Sequence, residues 1–398
     1  MWKKTLSELT RVTTSAPTCR DCGISDVGVA EAQGWRPTME DAHLVELDSV
    51  PGAAVFAVFD GHGGHDVSAH VAKELMPRFA RAMEDKSDAG AALQTVLIDI
   101  DFHMRTDLSL AGQLEQTGST AVCVCVEATQ ITSCWLGDSR AVLSSAGKVI
   151  ALSDDHKPSC AAPREAERER ISRADGQVVR GRVNGVLAVS RALGDYVYKS
   201  NEALSTHEQL VSCCPETRRR PRENADEFII VACDGIWEKV SNEQAVAFVR
   251  AAWQSGEHDA AQIARRLVEW SMLSGSTDNM TCCVVILNER LLDGVGEEEA
   301  RRKLVSASLS AVAVLRAREA LRIRFDDVKD MLETDVLDML DRIGFARHVE
   351  NFSENRVDGT CLVETSEHEF ADDLRLPAVD AKFITLALQW WQKTSSWS

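Results

Sequence analysis

The residues of this sequence best suited to chemistry are acids that follow apolar runs and stand next to glycine. Phe56-Ala-Val-Phe59 leads directly into Asp60-Gly61, and Phe228-Ile-Ile-Val-Ala-Cys233 leads directly into Asp234-Gly235. An apolar strand explains each run but not the acid at its end. Five acidic clusters are the candidates for a reaction centre: Arg36-Pro-Thr-Met-Glu40-Asp41, Asp60-Gly-His-Gly-Gly64, Gly137-Asp138-Ser-Arg140, Asp234-Gly-Ile-Trp-Glu238 and Ser276-Thr-Asp278-Asn279.

Acids that converge on one end of a sheet repel one another unless cations lie among them, so the clusters predict a metal site. Oxygen ligands select Mg²⁺ or Mn²⁺, and two such ions about 3.5–4 Å apart can orient a water for in-line attack on phosphorus. Arg36 suits a phosphate clamp because its guanidinium is a planar fork, and His62 suits proton transfer near neutral pH. Each piece alone has an ordinary explanation, since a lone Asp-Gly is usually a turn.

The elements that must position these acids are short β-branched strands separated by long helices, which predicts an α+β layered domain over the first 288 residues. The predicted strands are Ala53–Phe59, Thr120–Val126, Ile131–Leu136, Arg140–Ser144, Glu227–Ala232 and Met280–Leu287. The predicted helices are Asp66–Ala82, Gly90–Thr106, Ala162–Ala174, Asn242–Gln254 and Ala260–Ser274.

Three further segments flank this domain. Residues 1–23 are read as an N-terminal extension, and residues 289–330, rich in good helix formers and free of proline, as a helical connector. Residues 331–394 carry several short amphipathic helices and predict a small all-α module.

The clusters, in their order along the chain, resemble the metal-dependent serine/threonine protein phosphatases of the type 2C (PPM) family over roughly residues 24–288. The motifs that carry this resemblance are Arg36-Pro-Thr-Met-Glu-Asp-Ala-His43, Phe59-Asp-Gly-His-Gly-Gly64, Gly118-Ser-Thr-Ala121, Gly137-Asp-Ser-Arg140, Leu187-Ala-Val-Ser-Arg-Ala-Leu-Gly-Asp195, Cys233-Asp-Gly-Ile-Trp237 and Asp278-Asn-Met-Thr281. The resemblance implies a sandwich of two mostly antiparallel β-sheets flanked by helices. It also implies hydrolysis of phosphoserine and phosphothreonine by a metal-bridging water, without a phosphoenzyme.

By the same resemblance, five residues hold two Mn²⁺ or Mg²⁺ ions. Asp60 is expected to bridge both metals and Gly61 to offer its carbonyl. Glu40 is expected to bind one metal, while Asp234 and Asp278 bind the other.

The resemblance implies further roles around these ligands. Arg36 is the expected phosphate-binding residue and His62 the expected general acid. Asp41 is expected to hold metal-bound water, Asn279 to neighbour the centre, and His43 to play a supporting part.

A weaker third metal is also implied, with Asp138 as one of its acids. The family commonly places a second Asp after Asp-Gly-Ile-Trp, where this chain has Glu238. The longer side chain can still reach a third metal, with shifted geometry, and the ligands of the main pair are unaffected by this change.

Substrate choice in the family is influenced by a flap, which Tyr196–Pro215 resembles. Four arginines follow it closely: Arg218, Arg219, Arg220 and Arg222. They are interpreted as a solvated basic loop, with attraction of acidic or phosphorylated substrates as the alternative.

The C-terminal module resembles a sterile alpha motif (SAM) domain. The carrying residues are Val336-Leu-Asp-Met-Leu340, Ile343-Gly-Phe345, His348-Val-Glu-Asn-Phe352, Asn355-Arg-Val-Asp-Gly359, Leu362 and the final helix Phe383–Trp391. Residues 330–398 contain 14 acids and 6 bases, a net charge of −8. This charge favours protein contact or self-association over RNA binding.

Composition limits the ligands, the cell compartment and the cysteine chemistry that fit this chain. The chain has 398 residues, 62 acidic and 44 basic, so its net charge of −18 disfavours nucleic-acid binding. No apolar run approaches the roughly 18–20 residues that span a bilayer, which predicts a protein of the cytoplasm, with the nucleus also open. The twelve cysteines predict reduced thiols, with a metal or redox role for Cys19-x-x-Cys22 as the lesser alternative.

The sequence therefore predicts a metal-dependent protein phosphatase that acts on phosphoprotein substrates and carries a C-terminal interaction module. A catalytically inactive scaffold with the same fold is the alternative, supported only by Glu238. A third reading, in which the chain chiefly assembles oligomers through its tail, is compatible with the first.

Overall fold

The structure is a computed structural model that describes residues 10–15, 21–85, 88–106, 114–158, 165–254 and 258–288, together with positions 336, 352, 353, 356 and 357. Residues 9–295 form one compact unit. Residues 1–8 and 296–398 form the other, in which Val336, Phe352 and Val357 are buried. The predicted connector at 289–330 and the rest of the SAM-like tail lie outside the described residues.

Two antiparallel sheets form the centre of the larger unit. The first has the order β1 (Thr10–Ser15), β2 (Asp26–Ala32), β16 (Met280–Ile286), β15 (Asp226–Ala232), β9 (Arg140–Ser145) and β10 (Lys148–Ala151). The second has the order β14 (Glu216–Pro221), β8 (Gln130–Leu136), β7 (Ala121–Glu127), β4 (Ala53–Phe59) and β3 (Ala42–Val50).

The smaller elements connect and flank the sheets. A three-stranded sheet contains β13 (Leu193–Gly194), β6 (Gly118–Ser119) and β5 (Gly61–His62), and a hairpin pairs β11 (Val178–Val179) with β12 (Arg182–Val183). The helices are α1 (Asp66–Asp85), α2 (Ala89–Thr106), α3 (Glu165–Arg173), α4 (Asp234–Trp237), α5 (Asn242–Gln254) and α6 (Ala260–Leu273), and Tyr196–Lys199 forms a 3-10 helix.

Strand β4 contributes side chains to the hydrophobic cores on both faces of its sheet. All seven of its residues are buried, because successive side chains point to opposite faces and both faces are covered. Phe56 and Val58 pack into the core between the two sheets. Val55, Ala57 and Phe59 pack against α1 and α2 on the other side. The apolar run that predicted this strand therefore reflects a doubly covered position, and the predicted sandwich flanked by helices is confirmed.

Helix α6 covers the outer face of the first sheet. Its first turn is capped by Asp259, whose Oδ1 accepts hydrogen bonds from the amides of Ala261 (2.8 Å) and Gln262 (3.1 Å). The helix begins directly over Gly28 of β2, where an added Cβ would overlap the backbone of Ala261. Among the described helices, none combines the length and apolarity needed to cross a bilayer.

The described cysteines agree with the prediction of reduced thiols. Cys22 is buried, and the other eight are free and buried: Cys123, Cys125, Cys134, Cys213, Cys214, Cys233, Cys282 and Cys283. Cys19 lies outside the described residues, so the role of its pairing with Cys22 stays a prediction.

One sequence interpretation was wrong. The arginines read as a solvated loop belong mainly to strand β14, which pairs antiparallel with β8 at the edge of the second sheet. Arg218 contacts Asp154 at 2.5 Å, Arg219 contacts Asp88 at 3.3 Å and Arg220 contacts Asp226 at 2.9 Å. Paired charges of this kind leave little field to attract an acidic substrate.

Candidate metal and phosphate site

The predicted acids meet because antiparallel pairing brings strand ends together. Ala42, the first residue of β3, lies opposite Phe59, the last residue of β4. Glu40 and Asp41, just before β3, are therefore neighbours of Asp60, just after β4.

The first sheet contributes its acids at the same end of the sandwich. Ala232, the last residue of β15, pairs with Cys282 of β16 and with Arg140, the first residue of β9. Asp234 follows β15, Asp278 precedes β16, and Asp138 precedes β9. Strands from both sheets thus deliver acids to one site.

The pKa values of three acids in the site are raised because the acids are desolvated and lie close to one another. Burial, followed by the charges of Asp234, Asp41, Asp138 and Asp278, raises the pKa of Asp60 well above its usual range. Burial raises the pKa of Asp41 to about 7, although a hydrogen bond from Thr281 opposes the shift. Burial raises the pKa of Asp234 to about 8, with Asp138 and Asp278 adding to it. Such mutual repulsion is what a bound cation would relieve.

An unsatisfied oxygen indicates that the cluster fits a hard divalent cation. Oδ1 of Asp41 is buried and accepts no hydrogen bond from the described residues, while its Oδ2 accepts from Thr281 Oγ1 at 2.7 Å. Ligand atoms of Asp41, Asp60 and Cys233 lie within 4.8 Å of one another. Burial raises the pKa of the Cys233 thiol well above its usual range, so the carboxylates and not the sulfur match Mg²⁺ or Mn²⁺.

Asn279 holds the loop that carries Arg36 and Glu40. Its side-chain amide donates to the carbonyls of Gln33 (2.8 Å) and Thr38 (3.0 Å), and its Oδ1 accepts from the amide of Glu40 (2.8 Å). Asn279 is only 5% exposed, and its three hydrogen bonds fix the loop against the start of β16.

Gly61 is required by close packing behind the acids. A Cβ added to Gly61 would overlap the carbonyl oxygen of Glu40 and lie 2.9 Å from Ser68 Oγ. Ser68 Oγ itself donates to the Glu40 carbonyl. The glycine next to Asp60 therefore lets the segment that contains Glu40 lie directly beside it.

Arg36 lies at the rim of the cluster. It is exposed, and its Nη2 donates to Asp278 Oδ2 at 2.6 Å. The hydrogen bond that Arg36 donates to Asp278, and the charges of Asp278, Asp234 and Asp60, raise the pKa of Arg36. Among the described residues the other guanidinium N–H groups have no acceptor, so they can donate to an incoming anion.

His62 makes a contact that sequence reasoning missed. Its Nε2 lies 2.6 Å from Oδ2 of Asp195, which is only 1% exposed. Burial alone would lower the pKa of His62, but the hydrogen bond and charge of Asp195 outweigh it and the net shift is upward. The pair needs a glycine at Gly118, where an added Cβ would overlap Asp195 Oδ2 and lie 2.5 Å from His62 Nε2.

Asp138 and Glu238, the residues expected at a third metal, differ from each other in burial and in their partners. Asp138 is 4% exposed, and its Oδ2 lies 3.0 Å from Nζ of Lys157, a partner that the sequence did not suggest. Glu238 is exposed, although its charge contributes to the raised pKa of Asp234. His43 lies behind the centre, with Nδ1 2.7 Å from Glu31 Oε1.

Comparison with known proteins agrees with this arrangement. The family model for protein phosphatase 2C matches residues 25–280. Protein phosphatase 1B of Mus musculus is 37% identical over 291 residues, which cover 69% of this chain and 73% of that protein. Protein phosphatase 1A of Homo sapiens is 35% identical over 319 residues, which cover 77% and 80%. A solved phosphatase from a pathogenic strain of Toxoplasma gondii has a TM-score of 0.57 at 26% identity, covering 66% of this chain and 93% of that one. This chain therefore belongs to the protein phosphatase 2C family and is a protein serine/threonine phosphatase.

Proposed function

We propose that this protein hydrolyses phosphoserine and phosphothreonine in protein substrates, with two divalent cations, by direct attack of water on phosphorus. The observation that carries the proposal is the convergence of Asp41, Asp60 and Asp234 at one end of both sheets, where desolvation and mutual repulsion raise the pKa values of all three. Membership in the family supports the substrate class, and the positions of Arg36 and His62 support the reaction.

The cations would be held by the carboxylates of Glu40, Asp60, Asp234 and Asp278 and by the carbonyl of Gly61. Asp41 would accept hydrogen bonds from water at the centre, since its unpartnered Oδ1 is free to do so. Bound Mn²⁺ or Mg²⁺ lowers the pKa of coordinated water and polarises phosphoryl oxygens.

Arg36 would bind the phosphate of the substrate. Its side chain is 56% exposed while its neighbour Asp278 belongs to the acid cluster, so the guanidinium stands between solvent and the centre. A planar guanidinium donates two parallel hydrogen bonds to phosphate, which fixes the orientation of the phosphoryl group.

His62 would protonate the oxygen of the departing serine or threonine. Asp195 accepts a hydrogen bond from Nε2 and supports the protonated ring. Proton transfer must then use Nδ1, the other nitrogen, since a doubly protonated imidazole donates from both. A third, weaker cation near Asp138 and Glu238 stays a prediction of the family resemblance.

The C-terminal residues 331–394 are proposed as a SAM-like interaction module that binds a protein partner or a second copy of the chain. The support comes from sequence alone, in the apolar pattern and in the net charge of −8 over residues 330–398. Sedimentation of the full chain over a range of concentrations tests self-association, and a monomer at every concentration would contradict that part.

Phosphate release from a phosphothreonine peptide tests the proposed reaction. We expect release with Mn²⁺ or Mg²⁺ and none with EDTA. Asp60→Ala and Asp234→Ala should abolish release, whereas Asp226→Asn, at the opposite end of β15, serves as a control for loss of a buried acid. Release from folded Asp60→Ala protein would refute the assignment, and no release from the wild type would favour the inactive scaffold.

A further inference from the structure

A buried ion pair lies behind the His62–Asp195 contact and has no part in the reaction described so far. Lys199 Nζ contacts Asp101 Oδ1 at 2.9 Å, and both side chains are nearly inaccessible, with exposures of 4% and 6%. Asp101 comes from helix α2 and Lys199 from the 3-10 helix that follows Asp195. The pair therefore joins the segment that carries Asp195 to a long helix.

Asp101 accepts hydrogen bonds from residues of this segment on both sides of Asp195. Its Oδ1 also accepts from the amide of Gly194 at 2.7 Å, and its backbone carbonyl accepts from the hydroxyl of Tyr196 at 2.7 Å. With Lys199, three residues of the segment are thus bonded to one residue of α2.

The backbone at Asp195 needs such restraint. Asp195 has φ +53°, in the left-handed region that non-glycine residues seldom adopt. Gly194 has φ +73°, and an added Cβ there would overlap the carbonyl oxygen of Thr117. That carbonyl accepts from the amide of Asp195 at 2.9 Å. Strained conformations of this kind persist only where the surroundings fix them, and they concentrate at functional sites.

Stability alone does not explain a buried ion pair at this position. Burial lowers the pKa of Lys199, but the charge and hydrogen bond of Asp101, together with the charge of Asp195, outweigh it and the net shift is upward, so the ammonium stays charged. Removing two charges from water is costly, and an apolar pair of similar volume is often equally stable or more so. An apolar pair would lack the directional hydrogen bonds of Asp101 and Lys199, which set the position of Asp195.

We propose that Asp101 and Lys199 are positioning residues for the reaction, which hold the Asp195 carboxylate against His62 Nε2. The inference rests on the proposed role of His62 as the acid that protonates the leaving group. Loosening the ion pair would let Asp195 retreat, leave the imidazole without its partner and misdirect its proton. The cations, the phosphate clamp and the attacking water would be unaffected.

The test compares two leaving groups in Asp101→Asn. Serine or threonine alkoxide needs a proton to depart, whereas p-nitrophenolate departs as a stable anion, so only the first depends on the acid. A positioned acid contributes about 10²–10⁴-fold to rate, and a displacement of about 1 Å costs on the order of 10²-fold. We expect kcat for a phosphothreonine peptide to fall about 10- to 100-fold while kcat for p-nitrophenyl phosphate changes less than about twofold.

Three further variants make every outcome informative. Asp101→Asn with Lys199→Met removes both buried charges, so it should fold even where the single change does not, and it should show the same selective loss. Asp226→Asn disrupts the buried pair with Arg220 elsewhere in the fold and should slow both substrates equally or not at all. His62→Gln should show the largest selective loss.

The outcomes separate this inference from the proposed function. Equal losses on both substrates in the Asp101 variants, with a selective loss in His62→Gln, would overturn the positioning role and leave the acid assignment intact. Equal losses in His62→Gln itself would overturn the acid assignment and the inference with it. Full activity of the folded double variant on the phosphopeptide would also overturn the inference.

Discussion

Asp234→Asn should stabilise the metal-free protein at alkaline pH while abolishing catalysis. Asp234 follows β15 and shares its site with Asp60, Asp138 and Asp278, whose charges it repels. No side-chain hydrogen bond of Asp234 is present among the described residues, so Asn removes the charge and little else. Without cations, the wild-type protein must either keep a proton on this group or bear the repulsion.

The magnitude follows from the raised pKa of about 8, against 3.8 for an ordinary Asp. Between these values the folded state binds more protons than the unfolded state, so stability falls as pH rises through this window. At about 1.4 kcal/mol for each pH unit, the cost to the wild type at pH 8 has an upper bound of about 6 kcal/mol. Because the neighbouring acids share this repulsion and the site relaxes, the effect is smaller than the bound, and we expect a gain of about 3 kcal/mol at pH 8 and about 1 kcal/mol at pH 5.5.

Urea unfolding in EDTA, followed by tryptophan fluorescence at pH 5.5 and pH 8, measures this difference. Asp226→Asn is the matched control, since Asp226 is a fully buried acid that is paired with Arg220 and should lose stability at both pH values. Adding Mn²⁺ should stabilise the wild type by mass action and Asp234→Asn much less. A metal-free Asp234→Asn protein that is less stable than the wild type at pH 8, or a gain independent of pH, would refute the reasoning.

Three further changes test other parts of the site. Arg36→Lys should lower kcat/KM for a phosphopeptide about 10- to 100-fold, because an ammonium lacks the planar fork; unchanged kinetics would contradict the clamp. Gly118→Ala should separate His62 from Asp195 and slow the phosphopeptide reaction about 10-fold or more, with p-nitrophenyl phosphate hydrolysis as the comparison; equal rates on both substrates would count against it. Asn279→Ala should cost about 2–4 kcal/mol in urea unfolding, because three hydrogen bonds are lost; a loss below about 0.5 kcal/mol would show that the loop is held otherwise.

The strands that the sequence predicted are those covered on both faces. β4, β7, β15 and β16 read as continuous apolar runs because each lies between two layers, and that pattern survives without tertiary information. Strand β14 was missed for the opposite reason. It is an edge strand of alternating exposure that ends at Pro221, and its arginines resemble a charged loop until β8 provides the pairing.

In the candidate site, too, some residues could be predicted from local signals and others could not. Each acid could be found because it adjoins an apolar run or a glycine, and these are local signals. The partners of the site residues could not be found, since Asp195 lies 133 positions from His62 and Lys157 lies 19 positions from Asp138. The conformation at Asp195 is likewise set by Thr117 and α2 and not by its own neighbours in sequence.

The glycines at positions 61, 118 and 194 combine a local signal in the sequence with a contact across the fold. Each was visible in the sequence as part of a motif, but the reason for each lies in a contact across the fold: the Glu40 carbonyl, the His62–Asp195 pair and the Thr117 carbonyl. A side chain at any of them would move an acid or its partner. The glycines therefore fix distances within the site, and the acids they bring together are unfavourable to the fold until cations bind. Stability and activity are opposed at this end of the sandwich, because the same approach of Asp41, Asp60 and Asp234 that costs the metal-free protein stability creates the affinity for the cations.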